Sequence, residues 1–157
     1  MQVLFWLGRG RFLRRKGVFN LMKIFIICSK HHYGKVPEIK NSLELDGHCV
    51  TIPNSFEDPM KELRLLEEDA EAHAGWVANS WDESESKIKL NDAVLVLNFE
   101  KKGILNYVGG ATFTEIFMAY RQKRKIFFYN PLPNCSFTDE LKGMQPIILN
   151  GDLSKIR

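Results

Sequence analysis

Apolar residues fall along this chain in short unbroken runs, separated by longer stretches in which they recur at helical spacing. Lys23 to Cys28 (KIFIIC) and Ala93 to Leu97 (AVLVL) are β-branched, aromatic and aliphatic almost throughout, which predicts strands buried on both faces. His48 to Ile52, Lys125 to Tyr129 and Pro146 to Leu149 read as three further strands. Between the first two lie a polar loop, Ser29 to Lys35, and a helix, Val36 to Leu45, which admits Pro37 in its first turn and stops at Gly47. From Asn54 to Leu90 the pattern is looser. Asp58 and Pro59 start a helix on which Met60, Leu63, Leu66 and Ala70 share a face against an acidic exterior. The pattern weakens around Gly75, and a second helix is predicted from Glu83 to Leu90. Beyond the central strand, a polar loop with a Gly109-Gly110 pair leads into a helix beginning near Thr112, and Thr138 to Lys142 forms a last short helix.

Apolar strands alternating with helices predict an α/β fold, a parallel sheet covered on both faces in a flavodoxin/Rossmann-like three-layer sandwich. The expected strand order is 2-1-3-4-5. With right-handed crossovers, the loops after strands 1, 3 and 4 then share one edge, so that Ser29 to His32, Asn98 to Thr112 and Asn130 meet there.

A chain of 157 residues with 45% hydrophobic content is long enough for one compact core, and we read one domain, residues 22–157. Residues 1–21 contain Arg9, Arg11, Arg14, Arg15 and Lys16 and no acidic residue, and are expected to form a basic extension outside the fold. The apolar VLFWL run precedes the arginines, the reverse of an export signal, and is too short to span a bilayer. The formal charge of +3 comes from this segment: 22 Lys and Arg less these five leaves 17, against 19 Asp and Glu. The remainder carries no basic excess of the kind a nucleic-acid partner requires, and no membrane partner is expected. Cys28, Cys49 and Cys135 are odd in number and lack metal-ligand spacing; reduced thiols in a cytoplasmic protein are the expectation.

The candidate chemistry lies on the helix after the glycine pair. Glu115, one turn in, is placed to stay ionised near the N-terminal end of the helix dipole. Thr112-Phe113-Thr114-Glu115 also fits a capping box, in which the carboxylate serves only its own helix start. Phe113, Ile116, Phe117 and Tyr120 read as the core stripe. Met118, Ala119 and Gln122, on the side of Glu115, are too weakly polar for a free surface, which implies cover by a ligand or a second subunit and hence a homo-oligomer.

The segments MKIFIICS, NDAVLVLN, NYVGGATFTEIFMAY, KIFFYNPLP and PIILNGDLSKI together resemble the nucleoside 2-deoxyribosyltransferase-like family, which includes deoxynucleoside 5'-phosphate N-hydrolases. The likeness covers most of Met22 to Ile156 in layout and is close in detail from the glycine pair to Ala119-Tyr120. It implies cleavage of an N-glycosidic bond in a nucleoside or nucleotide, without metal or cofactor. The residue matching the family's nucleophile is Glu115, which would attack the anomeric carbon to form a glycosyl-enzyme. The substrate-binding set this suggests is Ser29, His31, Asn98, Asn106, Gly109, Gly110, Thr112 and Asn130. Lys30 and Lys35 read as phosphate contacts or surface charge, and Trp76 and Trp81 as base-stacking rings or core and subunit contacts.

Two departures stand out. The family carries an aspartate about two helical turns before the aspartate matched by Asp92, a register that falls here on Ser84, flanked by Asp82, Glu83 and Glu85. The loop ahead of the glycines offers Asn106 and Tyr107 where an acidic residue or serine is usual. Two other readings stay open: a phosphoribohydrolase, from the partial match of GGATFTE to PGGxGTxxE, and a non-catalytic nucleotide-binding or assembly module in which Glu115 is a cap.

Overall fold

The computed structural model describes residues 20–157. The expected extension falls, apart from Asn20 and the exposed Leu21, outside the described residues. Five parallel strands, β1 (Lys23–Cys28), β2 (Cys49–Thr51), β3 (Ala93–Leu97), β4 (Lys125–Phe128) and β5 (Ile147–Ile148), form one sheet of order β2-β1-β3-β4-β5. β1 and β3 pair over five residues, from Ile24 opposite Ala93 to Cys28 opposite Leu97. This is the flavodoxin/Rossmann-like arrangement.

The pleat sorts each strand's side chains into two cores, because successive residues face opposite sides. Ile24, Ile26, Ala93, Leu95 and Leu97 pack on one face against α1 (Val36–Leu45) through Val36, Ile39 and Leu43. Phe25, Ile27, Val94, Val96 and Phe128 pack on the other, against Ile88 of α3 (Ala70–Leu90) and Ile116 and Ala119 of α4 (Gly110–Arg121). Leu141 of α5 (Thr138–Gly143) closes that layer.

Between β2 and α3 the structure departs from the expected pattern. α2 (Lys61–Glu68) has no buried residue and packs on α3. Asp69 ends it and caps α3, its Oδ1 accepting from the N–H groups of Glu71 at 2.9 Å and Ala72 at 3.1 Å. Ala70 therefore opens the next helix, and α3 runs without a break through Gly75 where a gap was expected. An exposed helical glycine costs about 1 kcal/mol, too little to break a 21-residue helix that is capped at one end and anchored in the core by Ile88 near the other. The core stripe of α4 is also rotated. Thr112, Ile116 and Ala119 are buried, whereas Phe117 and Tyr120 are 47% and 38% exposed.

Candidate active site

The chain order reverses between β1 and β3, the place where ligands enter doubly wound sheets. A cavity of about 700 Å³ opens there. The end of β1 and its loop supply Cys28, Ser29, His31 and Tyr33; the β2 loop supplies Asn54; the start of α4 supplies Gly109 to Thr112; α3 closes the far side with Trp76, Trp81 and Ser84.

Glu115 lies on this wall. α4 starts at Gly110 with Gly109 as an extended N-cap that makes no side-chain bond, so Thr112 is the third helical residue and Glu115 the sixth. The capping box is therefore absent. The Glu115 carboxyl is out of reach of the orphan N–H groups and turns across to α3, where Oε1 accepts the Ser84 hydroxyl proton at 2.7 Å. Ser84 Oγ in turn accepts from Asn54 Nδ2 at 2.9 Å, and the same amide donates to the Ser80 carbonyl at 3.1 Å. Ser84 is only 2% exposed.

The expectation of a plainly ionised Glu115 does not hold. Burial pushes its carboxyl up from 4.5 to about 7, with the Ser84 hydrogen bond and the Lys87 charge pulling the other way. The helix dipole acts mainly within the first turn, and Glu115 lies beyond it. The same seclusion acts on its neighbours. Burial, reinforced by the Glu115 charge, pushes the Cys28 thiol up to about 12, and burial also raises the Tyr33 phenol, so both stay neutral.

Of the sequence-derived set, Ser29, His31, Gly109, Gly110, Thr112 and Glu115 share the cavity wall. Asn98, Asn130 and Asn106 do not. Asn98 is fully buried and ties β3 to the end of β4: its Nδ2 donates to the carbonyls of Asn130 at 3.2 Å and Pro131 at 2.7 Å, and its Oδ1 accepts from Asn130 N–H at 2.9 Å. Asn130 returns a bond from Nδ2 to the Asn98 carbonyl, so both ends of the Asn98 amide are engaged and the two side chains help to hold two strand ends together. Asn106 has a φ of 54°, the left-handed conformation asparagine tolerates in turns. His32 is also structural, its Nδ1 facing the Leu97 carbonyl at 3.0 Å, and burial holds it neutral.

The weakly polar side of α4 is covered from within the chain. Gln122 Nε2 donates to the Glu85 carbonyl at 3.3 Å, and Met118 packs into the core that holds Ile88 of α3. The covering element is α3, which removes the reason for expecting a second subunit there. On α3, Asp82, Glu83 and Glu85 are exposed, and only Ser84 of that run reaches Glu115.

Sequence reasoning left out Asn54, Tyr33 and the partners of Lys30 on the cavity wall. There Glu62 of α2 pairs with Lys30 of the β1 loop, and His73 Nε2 stands 3.6 Å from its other oxygen. Burial opposes ionisation of Glu62, but Lys30 and His73 outweigh it and hold the carboxyl below the usual range. Lys101 Nζ lies 4.4 Å from the centre of the Tyr107 ring, whose hydroxyl is 3.1 Å from where a Cβ on Gly109 would stand. Among the described residues, no cluster of His, Cys, Asp and Glu has a metal-binding arrangement, and no helix is long and apolar enough to cross a membrane.

No family model matches the chain, and no characterised protein matches it in sequence.

Proposed function

We propose that the protein cleaves or transfers the N-glycosidic bond of a deoxynucleoside or its 5'-monophosphate, with Glu115 as nucleophile. The observation that carries this reading is the Glu115 carboxyl set into the wall of a cavity at the sheet's switch point, held by a side-chain donor rather than spent on its own helix. A desolvated carboxylate beside a cavity is a strong nucleophile and stabilises an oxocarbenium-like transition state. In the forward step, a Glu115 oxygen bonds to the anomeric carbon as the bond to the base nitrogen breaks. The electron pair leaves with the base, which takes up a proton from solvent, and the water or base that attacks in the second step returns one to solvent. Water, or a second base, then attacks the anomeric carbon and releases the carboxylate.

The remaining wall suits such a substrate. Gly110 has open space where a Cβ would stand, which leaves room for a sugar ring to approach the backbone on the wall that carries Glu115, while the Tyr107 ring packs against Gly109. Trp76 and Trp81, half-buried on α3, offer flat apolar surface for a base.

Incubating the protein with ribo- and deoxyribonucleosides and their monophosphates, with chromatography of free base, tests the proposal. Base release from deoxy substrates, lost in Glu115→Gln, supports it. Release confined to ribose 5'-phosphates would move the reading to a phosphoribohydrolase, and release unchanged in Glu115→Gln would overturn the role of Glu115.

A further inference from the structure

Glu115 has two oxygens, and the structure treats them differently. Oε1 is engaged by Ser84 and Oε2 has no hydrogen-bond donor among the described residues. The engagement has a fixed polarity. An asparagine Nδ2 only donates, and both of its hydrogens have acceptors here, the Ser80 carbonyl and Ser84 Oγ. Ser84 receives one bond on its oxygen and has a single hydrogen left, which goes to Glu115. The Ser80 carbonyl belongs to the backbone of α3, so the series starts from a rigid element.

We infer that Asn54 and Ser84 are positioning residues: together they lock one oxygen of Glu115 and leave the other as the atom that faces the substrate. This rests on the glycosyl-transfer reading for its chemical meaning, but the locking itself concerns only three side chains. It also explains why a serine occupies the register where the resemblance leads one to expect an aspartate. An acid here would set two carboxyls against one another, whereas a hydroxyl oriented by an amide offers a donor without a charge. The other ionisable groups around Glu115 are Lys87 on α3, Cys28 at the end of β1 and Tyr33 in the loop beyond it. None of the three donates a hydrogen bond to Glu115.

The test has one arm independent of activity and one that uses it. Ser84→Ala removes the donor, Ser84→Thr keeps the hydroxyl, and Asn54→Asp keeps the shape of the amide but reverses the polarity, drawing the Ser84 hydrogen away from Glu115. The titration midpoint of the Glu115 carboxyl is followed by NMR of isotopically labelled glutamate, with Glu115→Gln assigning the signal. Losing a hydrogen bond to the charged form is expected to raise the midpoint by about one pH unit in Ser84→Ala; in Asn54→Asp the like charge of the new carboxylate adds to the rise, so the uncharged Ser84→Ala carries the inference. Ser84→Thr stays near the parent value. With a substrate that the parent cleaves, kcat falls roughly tenfold to a hundredfold in the first two variants while KM changes little, and Ser84→Thr restores it.

A midpoint unmoved in folded Ser84→Ala overturns the inference whatever the activity. If the midpoints move as expected but no glycoside is cleaved by the parent, the positioning stands and the glycosyl-transfer reading falls. Should Ser84→Ala not fold, Asn54→Ala, which removes the donor that orients the Ser84 hydroxyl without adding a charge, and Ser84→Thr carry the comparison.

Discussion

Replacing Glu115 with glutamine should make this protein more stable, and increasingly so as the pH rises. The substitution is nearly isosteric, and a glutamine carbonyl oxygen still accepts the Ser84 hydroxyl now bonded at 2.7 Å. What changes is the charge. In the folded protein the Glu115 carboxyl titrates at about 7, against an ordinary value of 4.5. A folded-state pKa above the unfolded one means that the native state holds the proton longer, so stability is full below about 4.5 and is lost as pH rises to about 7. At about 1.4 kcal/mol per unit, a rise from 4.5 to about 7 corresponds to ~3 kcal/mol of destabilisation borne by the ionised form. The carboxyl looks onto an open cavity, and screening there reduces the expected gap to ~2 kcal/mol. Thermal or denaturant unfolding of both proteins from pH 4 to pH 8.5 should therefore give coincident curves at the acid end. Above pH 7.5 the variant should lead by ~2 kcal/mol, or ~4–8 °C in midpoint for a domain of this size. Every other titrating group is common to the two proteins and cancels in the difference. A gap that is zero throughout, or equal at both ends, would refute the desolvated carboxyl.

The same carboxyl sets the expected pH dependence of the reaction. Since attack requires the ionised form, kcat/KM in the substrate-free enzyme should fall as pH drops below about 7, and an acid limb near 4.5 would contradict it. Asn98→Ala deletes three hydrogen bonds that join the ends of β3 and β4 and leaves Asn130 N–H and the Pro131 carbonyl without partners; a loss of ~2–4 kcal/mol in denaturant unfolding is expected. Were stability unchanged and only KM raised, Asn98 would be a substrate contact after all. Gly75→Ala, at an exposed position in α3 with nothing within 4 Å of the added Cβ, should stabilise by ~0.5–1 kcal/mol in the same assay. A loss instead would mean that α3 is broken there.

The sheet was legible because a parallel strand buried on both faces needs an unbroken apolar run, and KIFIIC and AVLVL leave little else to choose. The Gly75 break was misread because a glycine is local punctuation, while a helix end is decided by capping and packing; Asp69, one residue before the true start, carried the better signal. Asn98 and Asn130 show a different limit. A polar residue at a strand's carboxyl end reads the same whether it binds a ligand or pins a neighbouring strand, and only the hydrogen-bond partners distinguish the two. Ser84 was more accessible. Val77, Ser80, Trp81, Ser84 and Ile88 recur at helical spacing along α3, which sets Ser84 on the inner stripe and turns the flanking Asp82, Glu83 and Glu85 outward. Asn54 carried no such signal, since the irregular loop over 52–60, after a short edge strand, has no period to read.

The central claim is that Glu115 becomes covalently bonded to the sugar. Acid-quenching the protein during turnover of a deoxynucleoside or its monophosphate, then mapping its peptides by mass spectrometry, tests this most directly. The account predicts a deoxyribosyl adduct on the peptide carrying Glu115, appearing with release of free base and absent from Glu115→Gln. Base release with the adduct on another residue, or undiminished release by Glu115→Gln, would contradict it.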